Sequence, residues 1–325
     1  MIELFNDIKV DWIGKRQLFF AISIVLLIIG MISLIQKGKF QYGVDFRGGT
    51  TMRVHFSDPV PNVDKIRDAL EKGGATHSQI QELRDPSGGF QGDFQVEYGE
   101  EASSDTSTTQ GRKVVTAALD AAFGADKAKI LSSESVGPSV GADMRRNAVT
   151  ATLAALGGIL IYIALRFEWI YGAAAVFAVF HDTLVTLGIF SLFNKEINLT
   201  VIAALLTLVG YSVNDTIVVF DRVRENLKIR RRDDLASIMN DSINQTLSRT
   251  ILTSGLTFLT VMALFLFGGE IINNFAFAMV IGILVGSYSS IAVASPLVLI
   301  YAKFRGQGTA APAVAAKVPR TAKAR

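Results

Sequence analysis

Residues 199–226 read LTVIAALLTLVGYSVNDTIVVFDRVREN, and the first 22 of them carry a single charge, that of Asp215. An apolar run of about 20 residues suits the hydrocarbon core of a bilayer, so this stretch predicts a membrane-spanning helix. A charged side chain at the centre of such a helix costs on the order of 2.5–3.5 kcal/mol on insertion scales. Asp215 is therefore the first candidate functional residue.

Five further apolar runs surround this one, and together they predict a polytopic α-helical membrane protein with six transmembrane helices. The first run, QLFFAISIVLLIIGMISLIQ (17–36), lacks a small-residue cleavage pattern and is long for a signal peptide, so we interpret it as a retained anchor. The others lie at about 147–165, 169–193, 251–267 and 275–302.

Lys and Arg are distributed unevenly between the segments that join these runs. Residues 1–16, 166, 221–249 and 302–325 hold 17 of them, whereas 194–198 and 268–274 together hold one. Because positive charge near the spans stays in the cytoplasm, both termini are predicted to be cytoplasmic. The predicted organisation is a cytoplasmic N-terminus (1–16), a first span (17–36), an external domain (37–146), five spans within 147–304 with a cytoplasmic linker (221–249), and a disordered cytoplasmic tail (305–325).

The external segment alternates strand-like and helix-like patterns in the order β-α-β-β-α-β, which predicts a small ferredoxin-like α+β domain. FQYGVDFRGGTTMRVHFS (40–57) is interpreted as two extended pieces hinged at Gly48-Gly49. The low-complexity stretch EEASSDTSTTQ (100–110) is predicted to be a loop. Such a domain hosts many functions, so its fold says little about its role.

Asp215 belongs to a predicted polar stripe that should face other helices rather than lipid. The members of the stripe are Thr207, Tyr211, Asn214, Asp215 and Arg222. The structural alternative is a buried acid that is satisfied by Asn214 or by a neighbouring hydroxyl.

Asp182 lies near the middle of the third predicted span, beside His181. Adjacent positions on a helix point about 100° apart, so the two side chains are not expected to share one partner on one face. Either group is able to carry a proton, and a packing hydrogen bond to another helix is the alternative. The sequence leaves the two interpretations open.

Arg249 begins the fifth predicted span, next to a hydroxylated face that includes Thr253. The fourth span runs inward and the fifth outward, so Arg249 and Asp215 both lie in cytoplasmic halves and their depths are compatible. An Asp–Arg pair would stabilise both charges, and protonation of the acid would weaken their attraction. The alternative is an arginine that only extends to the membrane interface.

The remaining features point away from catalysis. The chain has no cysteine, and its sequence contains no nucleophile–base constellation, metal-ligand cluster or nucleotide-binding loop, so we expect neither an enzyme nor a bound cofactor.

The linker VRENLKIRRRDDLASIMNDSINQTLS (223–248) predicts a cytoplasmic surface helix with Arg230, Arg231 and Arg232 near lipid headgroups. Acids interrupt this basic run at once, so no nucleic-acid partner is expected. Gly282 and Gly286 form a G-x-x-x-G that predicts helix packing.

Five motifs occur in the order that is seen in SecF, the bacterial protein-translocase subunit family. They are GVDFRGG (43–49), RFEW (166–169), HD (181–182), GYSVNDTIVVFDRVREN (210–226) and SRTILTS (248–254). The chain resembles this family over roughly residues 10–305. It departs from the family at Arg47, where a small polar residue is more usual.

The resemblance implies membership of the resistance-nodulation-division superfamily, whose members couple proton flow to work in an external domain. It implies a subunit of the Sec export machinery that uses the proton-motive force with SecD to assist late-stage translocation of polypeptides across the bacterial inner (plasma) membrane. The implied proton-coupling residues are Asp215, Arg249 and Asp182, with Asn214, Tyr211, His181 and Thr253 as supporting polar groups.

The implied partners are SecD, the SecYEG channel with its motor SecA, YajC and YidC, the translocating polypeptide and membrane lipids. Protons are the implied coupling ion. Two other functions remain open on the sequence. One is a small-molecule or ion exporter of the same superfamily, and the other is a translocon scaffold with no proton role.

Overall fold

The computed structural model describes residues 9–38, 40–75, 78–84, 90–99, 110–166 and 168–305. Within these ranges, six apolar helices long enough to cross a membrane accompany one small antiparallel sheet domain, which confirms the predicted fold class. The predicted loop at 100–110, apart from Gln110, and the predicted tail beyond Arg305 lie outside the described residues.

The elements are numbered in chain order. The helices are α1 (Arg16–Lys37), α2 (Val44–Arg47), α3 (Val63–Lys72), α4 (Gln110–Phe123), α5 (Pro138–Arg166), α6 (Trp169–Leu192), α7 (Leu199–Ile229), α8 (Leu235–Phe267), α9 (Glu270–Ser289) and α10 (Ser295–Phe304). A π-helical segment, Ser290–Ala294, joins α9 to α10, and these three pieces form the sixth span. The strands are β1 (Gly49–Phe56), β2 (Gln79–Arg84), β3 (Phe90–Tyr98) and β4 (Ala128–Val136).

The sheet has the strand order β2-β3-β1-β4, with every neighbouring pair antiparallel. Alternate side chains of each strand point to one face, where α3 and α4 cover them. The core on that face includes Met52, Val54 and Phe94, all fully buried against Ile66 and Leu119. The opposite face of the sheet is left uncovered by these helices and faces the membrane helices.

The bend at Gly48-Gly49 is present, but the piece before it was predicted wrongly. Gly48 and Gly49 have φ angles of 78° and 143°, which favour glycine, and β1 begins at Gly49. Val44–Arg47 forms the short helix α2 rather than an extended segment. The reason is a tertiary contact, because the Asp45 carboxylate accepts a hydrogen bond (3.0 Å) from the backbone N–H of Leu199 at the start of α7.

The predicted cytoplasmic linker is also shorter than its sequence suggested. Helices α7 and α8 continue through it and leave only residues 230–234 between them, so there is no separate surface helix. The guanidinium of Arg230 donates to Asp233 and to Asp241, both at 2.6 Å. In the same way α5 begins at Pro138, well before the predicted boundary at 147.

Segments poor in Lys and Arg lie on the same side as the sheet domain. The loop between α6 and α7 forms backbone hydrogen bonds with the chain that leads into the sheet, from Ile197 to Gln41 (2.8 Å) and from Gly43 to Ile197 (3.0 Å). At the other end, the backbone N–H of Trp12 donates to Asn240 on α8 (2.8 Å). The loop between α6 and α7 therefore lies beside the sheet domain, whereas the chain around Trp12 lies beside the start of α8.

Glycines allow the membrane helices to approach closely, as the G-x-x-x-G predicted. A Cβ at Gly282 would lie 1.3 Å from the side chain of Leu208, and one at Gly286 would lie 3.3 Å from Ser212. At the crossing of α1 and α6, a Cβ at Gly188 would lie 2.7 Å from the Cα of Gly30. Because lipid gives no hydrophobic driving force between helices, such contacts supply much of the packing energy.

Gly188→Ala is expected to destabilise the bundle by about 1–3 kcal/mol, because the new methyl group meets backbone that has no rotamer with which to move away. The matched control is Gly157→Ala in α5, where a Cβ would meet nothing within 4 Å. This control should keep or slightly raise stability, since alanine is the better helix former. Unfolding midpoints in mixed detergent measure the difference, and equal midpoints for the two variants would contradict the close crossing.

Candidate functional site

Asp182 is the centre of a polar cluster that joins three spans. Its carboxylate is fully buried and accepts hydrogen bonds from Ser212 on α7 (2.6 Å) and Ser289 on α9 (2.7 Å), both at Oδ2. The Nδ1 of His181 bonds with Oδ1 at 3.0 Å. The sequence did not predict that these two neighbours bond each other. Two serine hydroxyls therefore donate to this buried acid, and the His181 ring is its third hydrogen-bond partner, while the buried Nε2 of His181 has no partner among the described residues.

A second group of hydroxyls continues this cluster along the sixth span. The hydroxyl of Thr216 lies 2.9 Å from that of Ser290, where the π-helical segment begins. Ser295 donates to the backbone oxygen of Ser290, five residues earlier (3.0 Å). Pro296 follows directly, and proline lacks the N–H that would continue the regular hydrogen-bond ladder, which explains why the helix widens here. Such segments are frequent at functional sites.

Asp215 lies on the same helix as Ser212 but contacts a different neighbour. It is 3% exposed, and its Oδ2 accepts one hydrogen bond, from Ser254 on α8 (2.9 Å). Asp215 therefore has one hydrogen-bond partner, a serine hydroxyl, whereas Asp182 has three, two serine hydroxyls and the His181 ring. A buried carboxylate with so few donors is costly in its ionised form.

The predicted pair of Asp215 with Arg249 is not a direct ion pair in this structure. Among the described residues, the guanidinium of Arg249 forms no ion pair of 4.0 Å or less and no hydrogen bond, and the side chain is exposed. Its positive charge still acts on the Asp215 carboxyl through space. Ser254, five residues after Arg249 on the same helix, is the direct hydrogen-bond partner of Asp215.

The predicted polar stripe is only partly inward-facing. Asn214 and Thr207 are exposed on this chain, and the buried polar face instead contains Ser212, Asp215 and Thr216. Asn214 is adjacent to Asp215, so a rotation of about 100° turns one outward when the other faces in.

Tyr211 has a buried hydroxyl with no hydrogen-bond partner among the described residues, and Thr253 is exposed and donates to its own helix, to Arg249 O at 3.0 Å.

Sequence reasoning missed the serines that hold both acids, namely Ser212, Ser254 and Ser289. Serine is common in membrane helices and usually bonds its own backbone, so a single serine carries little signal. The dense run SYSS at 287–290 is the one local pattern that marked its helix as a partner for a buried charge.

These features define a polytopic membrane protein that keeps acids inside its bundle, a property typical of transport proteins. Family models match the protein export membrane protein SecD/SecF, C-terminal, over residues 115–304 and the SecD/SecF GG motif over residues 32–60. The chain belongs to the SecF family of protein translocase subunits.

Individual relatives agree with this assignment. The chain is 39% identical to the SecF subunit of Koribacter versatilis, covering 95% of this chain and 96% of the relative. It is 43% identical to that of Calditerrivibrio nitroreducens, covering 92% and 96%. The crystal structure of SecDF from Thermus thermophilus, a translocon-associated membrane protein, superposes with a TM-score of 0.78 at 39% identity. That alignment covers 91% of this chain and 39% of SecDF, so this chain spans about two fifths of that protein.

Proposed function

We propose that this chain uses the proton-motive force, together with a SecD partner, to assist the late stage of polypeptide translocation across the bacterial inner membrane. The observation that carries the proposal is the environment of Asp215, a buried acid in the fourth span with one hydroxyl donor and no ion pair of 4.0 Å or less within the described part of the chain. The proposed role of the chain is transport rather than catalysis, and protons are the proposed coupling ion.

Asp215 fits this role better than Asp182 does. A proton binds most readily where the ionised carboxylate is poorly satisfied, and Asp182 already accepts from Ser212 and Ser289 and bonds with the His181 ring. We therefore assign proton exchange to Asp215 and a joining role between spans to Asp182. Arg249 acts as the countercharge that is attracted to ionised Asp215 and released when the acid is protonated.

A SecD partner is supported by the polar groups that this chain exposes within its spans. Asn214 and Arg249 are exposed at membrane depth, where contact with lipid tails is costly. A second six-span half that covers them would remove this cost. The SecDF relative, in which the two halves are one chain, supports the same association.

The wider machinery follows from the proposed function. The SecYEG channel with SecA, YajC, YidC and the emerging polypeptide are the proposed partners, within a lipid bilayer of the inner membrane. Both termini are proposed to be cytoplasmic, since the described parts of two basic segments, residues 9–16 and 221–249, lie together at the end of the bundle away from the sheet domain. One charge that crosses 100 mV is worth about 2.3 kcal/mol, which is enough to bias a two-state movement more than tenfold.

Measuring export in the Arg249→Met variant tests this proposal. In cells that depend on this chain and its SecD partner, we expect the protonophore-sensitive part of the export rate of a secreted reporter to fall roughly tenfold. Arg249→Lys keeps the charge and should retain most of that rate. If Arg249→Met is present at wild-type levels with SecD and exports as fast as wild type at full proton-motive force, the scaffold function replaces this proposal.

A further inference from the structure

A polar cleft separates the uncovered face of the sheet from the external ends of the membrane helices. Its volume is about 600 Å³. The sheet contributes Thr51, Gln95 and Glu97 among others, and the membrane side contributes Glu196 and Asn198 from the loop between α6 and α7. The cleft is thus the junction through which a movement of the sheet domain would reach the spans.

Two glutamates meet across this junction. Glu97, on β3, and Glu196, on the loop between α6 and α7, line the same cleft, and the charge of Glu97 acts on the Glu196 carboxyl. Glu196 is 6% exposed, and its Oε1 has no hydrogen-bond partner in the described part of the chain. Glu97 accepts from Gln95 at Oε1 (2.9 Å), while its Oε2 is likewise buried without a partner. Each carboxyl thus presents one buried oxygen that lacks a donor.

A single proton shared between the Glu97 and Glu196 carboxyls would supply the missing donor. Two carboxylates in contact repel each other and leave both oxygens unpaired, whereas a carboxylic acid donates to its neighbour. Burial, reinforced by the charge of Glu97, raises the pKa of Glu196 to about 8. The site is thus a proton acceptor near neutral pH.

The surrounding charges do not replace that proton. The guanidinium of Arg47, on α2, forms a long ion pair with Glu196 Oε1 at 4.0 Å, but this distance exceeds that of a hydrogen bond and the Arg47 side chain is 38% exposed. Asp45, also on α2, is engaged with the N-terminus of α7. On the loop itself, Lys195 donates to Asn273 (2.8 Å). In the sheet, Arg53 is paired with Asp93 at 2.6 Å.

We propose that Glu97 and Glu196 form a proton-binding site outside the membrane, and that its protonated form holds the sheet domain on the membrane domain. This inference goes beyond the proposed function, because it does not involve Asp215 and would stand if Asp215 had no proton role. Loss of the proton leaves two carboxylates in contact and releases the sheet.

The direction of the pH dependence follows from the raised pKa. The docked form binds the proton more tightly than a separated, solvated glutamate does, so docking is strongest in acid. It weakens as the pH rises above the ordinary glutamate range, and the last of this stabilisation is lost as the pH passes about 8.

Infrared spectroscopy and spin-label distances test the two parts of the proposal on the full-length chain in lipid nanodiscs. The infrared readout is the carbonyl stretch of a protonated carboxyl, followed from about pH 5 to about pH 10. We expect a component that titrates near the pKa of Glu196, is absent in Glu196→Gln, and persists in Glu134→Gln. Glu134 is the matched control, an exposed carboxylate on β4 that lines the same cleft.

The absence of cysteine from the sequence lets two introduced cysteines carry the only spin labels. Labels at Glu71→Cys on α3 and Leu192→Cys at the end of α6 should separate in the wild-type background as the pH rises. In Glu97→Gln the amide donates at every pH, so the distance should stay constant. Identical infrared titrations of wild type and Glu196→Gln would overturn the proton site, and a wild-type distance that does not change with pH would overturn the docking role.

Discussion

Asp215→Asn should remove the part of export that depends on the proton-motive force while leaving the chain folded and bound to SecD. Asparagine has nearly the same shape and still accepts a hydrogen bond from Ser254, the donor that lies 2.9 Å from the carboxylate. It cannot bind or release a proton at any physiological pH. The expected loss is on the order of tenfold in the protonophore-sensitive export rate, since coupling one charge to 100 mV supplies about 2.3 kcal/mol.

The matched control for this experiment is Asp221→Asn, an acid on the same helix. Asp221 lies outside the buried cluster, where both carboxylate oxygens are 3.1 Å from the exposed Arg166. Exposed ion pairs contribute little, so this variant should export at the wild-type rate. Pulse-chase labelling of a secreted reporter, with and without a protonophore, measures both variants. Equal protonophore sensitivity of Asp215→Asn and wild type would refute proton use at this position.

The architecture was predictable because each of its parts obeys a length or period rule. A span needs about 20 apolar residues, and QLFFAISIVLLIIGMISLIQ (17–36) lies within the observed helix Arg16–Lys37. The alternating strands and helices of the external domain gave its element order for the same reason. No such rule fixes where a helix ends outside the bilayer. The sequence therefore did not predict the polar first turns of α5 or the extension of α7 and α8 into the linker.

Of the candidate site, the sequence predicted the two buried acids but not their hydrogen-bond partners. Asp182 and Asp215 are conspicuous in apolar runs, and both are buried. Their partners depend on which helices meet and at what rotation, and that is decided by glycine contacts such as Gly286 against Ser212. Glu196 was missed for a related reason. A single acid in a five-residue loop is typically solvated, and only the sheet domain above it makes it buried.

Asp182→Leu is expected to destabilise the membrane bundle strongly, by about 2–4 kcal/mol. Leucine removes the acceptor for Ser212 and Ser289 and the hydrogen-bond partner of His181 at once, and each buried polar group left unpaired costs about 1–3 kcal/mol. The expected loss of stability is smaller than the sum of these costs because Ser289 can still donate to the backbone oxygen of Gly286, at 3.2 Å. Unfolding in mixed detergent, followed by circular dichroism, measures the loss.

Asp182→Asn separates this structural role from a proton-carrying one. Its side-chain oxygen can accept from one pair of donors, and its NH₂ group can donate to serine hydroxyls that turn to accept. The variant should therefore keep most of the stability and most of the export rate, in contrast to Asp215→Asn. If it instead unfolds like wild type but loses the protonophore-sensitive export, then Asp182 carries a coupled proton. The exchange path would then run between two acids on neighbouring helices rather than through Asp215 alone.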